Sequence, residues 1–266
     1  MSGEPKPQTS TINGRLWGAR ARDWADLQEG VSRPIYEAVL RRTGVQPGTH
    51  YLDIGCGAGM ATQMASTLGA EVVGIDASEA LLVIARERTP GGDFRVGDVE
   101  ALPFADRSFD VVTGFNSLQY AGNPGVALAE ARRVAEPEGR VVVATWGEPD
   151  GMPAASVVTA LRHLLPPPPP GAPGPFALSD ETVLRKFAED AELDPIEIFD
   201  VDSSFHYADL DIGLRALNST GVAARAMENS SEEAVSQAHR EALAPFRQAD
   251  GSYHAAAVFR CLLARP

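Results

Sequence analysis

Tyr51-Leu52-Asp53-Ile54-Gly55-Cys56-Gly57-Ala58-Gly59 decides how the rest of the chain is read. Tyr51 to Ile54 reads as the end of a buried strand, and Met60 to Leu68 as a helix. Three glycines at alternate positions lie between them. Glycine lets a backbone turn sharply and lets a ligand approach closely, because no Cβ stands in the way. A strand, a glycine turn and a helix start make a nucleotide-sized cradle at the carboxyl end of a parallel strand.

Outward from this stretch the chain alternates. Upstream, Ser32 is placed to cap a helix with Pro34 in its first turn and Ile35, Tyr36, Val39 and Leu40 on one stripe, stopping at Gly44. Downstream, the strand Glu71 to Ile75 ends in Asp76, and Ser78 caps the next helix. A short strand, Phe94 to Val96, ends at Gly97-Asp98. The strand Phe109 to Phe115 ends at Asn116, Asn123-Pro124 opens another helix, and Arg140 to Thr145 is a fifth strand. Five strands alternating with helices predict a doubly wound, parallel α/β sheet. Ligands of such sheets bind beyond the carboxyl ends of the strands. Asp53, Asp76, Asp98 and Asn116 all stand at or near those ends, although each alone is also a common turn or cap residue.

The flanks follow a different rhythm. Met1 to Thr11 is Pro/Ser/Thr-rich and predicted disordered. Trp17 and Trp24 follow, either pinning the N-terminal arm to the domain or closing over a ligand. After Trp146, Ala154 to Leu165 reads as helix and Pro166 to Pro170 as a stiff extended connector. Ser179 caps a helix through Ala188, and Ile196 to Tyr207 is a sixth strand. Leu210 to Met227 and Ser231 to Phe246 read as two helices, and Tyr253 to Leu263 as the last strand.

Composition narrows the partners. Asp plus Glu total 36 against 23 Lys plus Arg, a net charge of −13 over 266 residues. Such a surface disfavours nucleic acid and anionic membrane. Two cysteines, Cys56 and Cys261, suggest neither a disulfide framework nor a metal cluster, and no metal-ligand set is apparent. No apolar run reaches the length of about 18 residues that a membrane span needs. The first 30 residues carry no hydrophobic signal core, which points to the cytoplasm.

Two nucleotide readings compete for the glycine turn. A dinucleotide fingerprint, Gly-x-Gly-x-x-Gly, would need glycine where Met60 stands. Four stretches instead occur together. They are Leu52-Asp53-Ile54-Gly55-Cys56-Gly57-Ala58-Gly59, Val73-Gly74-Ile75-Asp76-Ala77-Ser78, Gly97-Asp98-Val99-Glu100-Ala101-Leu102-Pro103-Phe104 and Ser108-Phe109-Asp110-Val111-Val112. In order and spacing they resemble the motifs of class I S-adenosylmethionine-dependent methyltransferases, most of all the type 11, small-molecule branch. The resemblance is close over about residues 45 to 150.

It implies a Rossmann-like, seven-stranded sheet with the last strand antiparallel, plus a helical lid. Residues 1–44 would be an arm and lid helix and 45–147 the cofactor-binding core. Residues 148–266 would supply lid insertions and the strands that complete the sheet. S-adenosylmethionine would be the cofactor and S-adenosylhomocysteine the product. The backbone of Gly55, Cys56 and Gly57, with Asp53 before it, would face the methionine portion. Asp76, beside Ala77, would accept from both ribose hydroxyls. Asp98 and the N–H of Val99 would meet the adenine, and Leu81 would cover its face. Asn116, with Phe115, would lie near the reacting methyl. Trp24 would close over the cofactor, and Arg22 and Arg33 are candidate carboxylate clamps. Trp17, Gln119, Tyr120 and Trp146 are the candidates to touch a small, partly hydrophobic acceptor, with His206 as general base for methylation at oxygen. Asn116-Ser117-Leu118-Gln119 lacks the Asp/Asn-Pro-Pro-Tyr of enzymes acting on nucleobases or protein amides. With the acidic charge, this argues against nucleic acid or a translation factor as substrate. The apolar content of the lid segments points to a metabolite, with an O-methyltransferase of secondary metabolism the narrowest expectation and N- or C-methylation left open. Two other readings are an NAD-dependent oxidoreductase and a protein that binds S-adenosylmethionine without transferring its methyl.

Overall fold

Tyr51, Leu52 and Ile54 are fully buried because β1 (His50–Ile54) lies inside a seven-stranded sheet. The computed structural model describes residues 9–167 and 174–266. The expected disordered start up to residue 8, and Pro168 to Pro170 with Pro173 of the proline run, lie outside the described residues.

β1 pairs in parallel with β2 (Glu71–Asp76) on one side and β4 (Phe109–Phe115) on the other, so that Leu52 faces Val73 and Val112. β3 (Asp93–Val96) extends the sheet beyond β2, and β5 (Ala135–Trp146) beyond β4. β6 (Asp194–Asp202) forms the far edge. Two short strands, β7 (Phe205–Tyr207) and β8 (Tyr253–Ala255), pair with each other in a separate sheet. The last strand, β9 (Val258–Arg265), slots between β5 and β6 antiparallel to both. The order is therefore β3-β2-β1-β4-β5-β9-β6, the α/β sheet with an antiparallel last strand that the motifs imply.

Alternation along each strand fills two layers. Leu52, Ile54, Val112 and Val143 face a core closed by Leu128 and Leu184. Tyr51 and Val111 face Leu40 and Ala65, and further along that side Val142, Ala144 and Trp146 meet Ile35, Val39 and Phe259. Strand order reverses between β1 and β4, which opens a crevice at their carboxyl ends.

The structure corrects several boundaries. Thr9 to Thr11, expected to be disordered, begin a helix, Thr9–Gly18. Packing supplies what polar composition does not: Leu16 is buried, and Asn13 donates to the carbonyl of Tyr120 at 2.7 Å. Ser32 precedes the helix Arg33–Thr43 but makes no side-chain cap bond, whereas Gly44 ends it in the left-handed conformation as expected. Ala154 to Leu165 is reduced to short turns, Ala155–Val158 and Arg162–Leu164. Asp180, not Ser179, caps the helix Glu181–Asp190. The sixth and last expected strands each divide, because Phe205–Tyr207 and Tyr253–Ala255 leave the main sheet to pair together. The two expected C-terminal helices are three: Leu210–Asn218, Gly221–Asn229 and Glu232–Leu243. Thr220 causes the extra break, turning extended to accept from the N–H of Ala223 as a new N-cap. Among the described residues no helix is long and apolar enough to cross a membrane.

Candidate functional site

The crevice holds a cavity of about 880 Å3 of empty space, its mouth to solvent included. Its floor comes from four strand ends in turn. After β1 stand Gly55 and Gly57, after β2 Asp76 and Ala77, after β3 Gly97, Asp98 and Val99, and after β4 Asn116 and Ser117. The arm supplies the roof through Ser10, Asn13, Trp17 and Trp24.

The glycine turn is built by close approach. Gly55, Gly57 and Gly59 all have positive φ, which L side chains rarely adopt. A Cβ on Gly55 would stand 2.4 Å from that of Ser117, and one on Gly59 2.7 Å from that of Ala85. Four N–H groups of the turn are engaged within the protein. Those of Gly55 and Cys56 donate to the carbonyl of Ile75 at 2.8 and 3.1 Å, and that of Gly59 to Cys56 at 3.0 Å. Gly57 donates to Asp76 Oδ2 at 2.9 Å. At the start of the following helix, Met60 donates to Glu29 Oε1 at 3.1 Å.

Asp76 is therefore a fixed acceptor. Gly57 holds one oxygen and the N–H of Ser78 holds the other at 2.8 Å. A carboxylate offers about four acceptor positions, so each oxygen keeps capacity for a ligand donor. Burial raises its pKa, against the pull of those backbone donors. Asp98 Oδ1 accepts from the N–H of Glu100 at 2.9 Å. Asn116 adopts φ +50 where β4 ends, a left-handed conformation that Asn tolerates, and Gln119 donates to its side-chain oxygen.

On the roof, Trp17 meets Trp24 edge-on at 5.0 Å and Tyr120 at 5.3 Å. It rests on Gly221, where a Cβ would lie 2.6 Å from its Nε1. Trp24 Nε1 is buried without a partner, although a buried N–H normally finds one. It lies 3.5 Å from the point a Cβ on Gly57 would occupy. An orphaned donor in the lining beside the glycine turn is what a ligand acceptor would satisfy.

Of the expected site residues, the structure brings Gly55, Gly57, Asp76, Ala77, Asp98, Val99, Asn116, Trp24, Trp17 and Tyr120 into one lining, with Leu81 and Phe115. Others lie elsewhere. Asp53 is buried below the turn and accepts from the Thr113 hydroxyl at 2.9 Å. The Cys56 side chain packs away from the cavity among Leu82, Ala85 and Phe94, and burial pushes its thiol well above the usual range. Gln119 stands behind Asn116 rather than in the lining. Trp146 is core, 4.1 Å from the Phe259 ring. Arg22 pairs with Glu87 on the surface at 2.9 Å, and Arg33 is exposed.

His206 does not reach the cavity. In β7 only alternate residues turn inward, so Phe205 and Tyr207 are buried while His206 faces outward beside His254 of β8, ring centres 6.2 Å apart. Among the described residues no histidine lines the cavity. The buried histidine is His239, bonded to Asn218 at 2.7 Å and lowered to about 4 by burial, outside the lining.

Sequence reasoning missed Glu29, Tyr36, Ser10 and Asn13. Tyr36 had been read only as helix stripe, yet it lines the cavity. Glu29 directly follows a wide helical turn, Trp24–Gln28, and closes it with its own N–H donating to the Trp24 carbonyl five residues back. Such turns often mark functional sites, but nothing in the local sequence announces one. Among the described residues no group of three or more His, Cys, Asp or Glu is placed to hold a metal ion.

A sheet in this order with its ligand crevice at the β1/β4 switch defines the class I methyltransferase fold. Residues 52–143 match the family model described as a methyltransferase domain. Among similar curated proteins, the demethylmenaquinone methyltransferase of Renibacterium salmoninarum is 38% identical over 133 residues, 50% of this chain and 56% of that protein. The malonyl-[acyl-carrier protein] O-methyltransferase of Erwinia pyrifoliae is 36% identical over 132 residues, 50% of this chain and 50% of that protein. The chain thus aligns with about half the length of these relatives. Among solved structures, the [4+2]-cyclase SpnF shares the fold with a TM-score of 0.61 at 19% identity, covering 100% of this chain and 98% of that one. Geranyl diphosphate methyltransferase, solved with GPP and sinefungin, gives 0.51 at 20% identity, covering 87% and 76%.

Proposed function

We propose that this chain transfers a methyl group from S-adenosylmethionine to a small, partly apolar acceptor, at an oxygen. One observation carries the choice of cofactor. The helix start after the glycine turn, where a dinucleotide places its pyrophosphate, is occupied by a carboxylate: Glu29 accepts the N–H of Met60. The N–H groups of Gly55, Cys56, Gly57 and Gly59 are likewise engaged. With those donors engaged, and beside the carboxylates of Glu29, Asp53 and Asp76, this turn favours a cation over a phosphate.

Bound there, S-adenosylmethionine would supply an electrophilic methyl on a positively charged sulfur. Asp76 would accept from the ribose, Asp98 and the Val99 N–H would serve the adenine, and the orphaned Trp24 Nε1 would donate to the carboxylate end. Trp17, Trp24 and Tyr120 would exclude water. Fixing the acceptor in line is worth up to ~7–11 kcal/mol. The lining supplies no histidine to remove a proton, and burial holds the hydroxyls of Tyr36 and Tyr120 above their usual value, Tyr120 at about 12. We take the acceptor oxygen to be one that ionises by its own chemistry or gives its proton to a carboxylate of the lining, among them Asp98 and Glu100. One relative is named for methylation at oxygen, of malonyl-[acyl-carrier protein], and another for demethylmenaquinone. This reading takes the acceptor from secondary metabolism and the compartment to be the cytoplasm.

Calorimetric titration with S-adenosylmethionine, S-adenosylhomocysteine and NAD tests the cofactor. The first two should bind, and binding of NAD alone would overturn the reading. A labelled-methyl assay over phenols, enols and amines then tests transfer. Cofactor binding without label transfer to any of them would favour a protein that binds without transferring.

A further inference from the structure

Three carboxylates from three parts of the chain meet below the glycine turn, and Arg88 is the cation bonded among them. Glu29 comes from the arm, Asp53 from β1 and Asp76 from the end of β2. Glu29 is 2% exposed, accepts from the N–H of Met60 and pairs through its other oxygen with Arg88. Arg88 also donates to the carbonyls of Ala58 and Ala25, at 2.9 and 2.8 Å, tying the turn to the arm. Glu29 Oε1 lies 3.8 Å from the point a Cβ on Gly57 would occupy, and Gly57 lines the cavity.

The other ionisable groups packed around this cluster are Tyr36, Tyr51 and the Cys56 thiol. Burial keeps all three neutral at ordinary pH. Asp53 and Asp76 have hydrogen-bond partners but no cation of their own: the Thr113 hydroxyl for one, the N–H groups of Gly57 and Ser78 for the other. With all three carboxylates ionised the cluster carries two negative charges in excess. Trp24, Tyr36 and Phe115 line the same cavity, and aromatic rings also accommodate cations well.

We propose that Glu29 is a specificity-determining residue of this site, its charge making the cavity favour a ligand with positively charged sulfur over the same ligand with neutral sulfur. This rests on the S-adenosylmethionine reading above. S-adenosylmethionine and S-adenosylhomocysteine differ by one methyl group and one unit of charge, and transfer removes both. Excess negative charge beside the cavity retains the form that reacts and weakens the hold on the form that must leave.

Glu29 also shapes the turn, and comparing the two ligands separates the roles. Affinities for S-adenosylmethionine and S-adenosylhomocysteine would be measured at pH 8 on the full chain and on Glu29→Gln. Glutamine keeps the size of glutamate and an oxygen to accept from Met60. The wild type should prefer S-adenosylmethionine, and Glu29→Gln should lose roughly tenfold of that preference, the scale of one unit charge in a partly buried site. S-adenosylhomocysteine should bind nearly as before. Equal weakening of both ligands would overturn the inference and leave Glu29 a structural residue. Should Glu29→Gln fail to fold, Asp53→Asn makes the same change of charge from β1 and is read in the same way. A wild type that binds neither ligand would instead overturn the cofactor reading, and this inference with it.

Discussion

Asp76 and Trp24 line the same cavity but are held there in different ways. Asp76 stands where β2 stops, and its oxygens are fixed by the N–H groups of Gly57 and Ser78. Trp24 stands in an irregular turn, edge-on to Trp17, with the Glu29–Arg88 pair beside it. The floor is thus set by strand ends that any sheet of this order would produce. The roof is set by contacts between residues far apart in the chain. On the proposed reading, general recognition of a nucleoside would belong to the floor, and control over charge and access to the roof.

Below the floor, Asp53 carries strain that a bound cation would offset, and pH exposes it. Burial, with Glu29 and Asp76 nearby, raises the pKa of Asp53 from 3.8 to about 7. The folded state therefore keeps a proton that the unfolded chain has already released, and raising the pH through this window costs stability. Between pH 5 and pH 8 the ligand-free protein should lose roughly 2–3 kcal/mol by this route. Asp53→Asn should flatten the dependence and be the more stable protein at pH 8. Denaturant unfolding at both pH values checks this, and parallel curves for the two proteins would show that Asp53 is not strained.

Asp76→Ala removes the floor's fixed acceptor. Affinity for S-adenosylmethionine should fall by ~1–3 kcal/mol through lost charge-assisted hydrogen bonds, as read by calorimetry. An unchanged affinity would take the ribose away from Asp76. On the roof, Trp24→Phe keeps most of the ring and removes the N–H. Affinity should drop by about 0.5–1.5 kcal/mol, while loss of the N–H itself costs the free protein no hydrogen bond, because it has no partner. A lower melting point with unchanged affinity would make Trp24 a packing residue only.

The smallest effect is expected outside both regions. His206→Ala should leave the turnover rate within about twofold, as for an ordinary surface change. A loss on the order of a hundredfold would restore His206 as a general base.

The same contrast explains what could be read before the structure. Asp76, Asp98 and Asn116 were legible because each ends a strand and precedes a turn or helix start, so local pattern and position in the fold agree. Glu29 was not, because it acts on Met60, 31 residues away, and Arg88, 59 residues away. His206 was misplaced because the irregular pattern from Ile196 to Tyr207 reads as one strand, while the chain makes two. In β7 the aromatic neighbours that suggested a pocket take the inward positions and turn the histidine out. Trp146, a candidate to touch the acceptor, is instead covered by β9 and β7 with Phe259 and Phe205.

The three tryptophans of the chain allow the central claim, a cationic nucleoside held between strand-end floor and arm roof, to be tested in one titration. S-adenosylmethionine added to isotope-labelled protein should shift the indole N–H resonances of Trp24 and Trp17, with Trp24 moving most, and leave that of Trp146 in place. Saturation of binding with the Trp24 and Trp17 resonances unmoved would contradict the account.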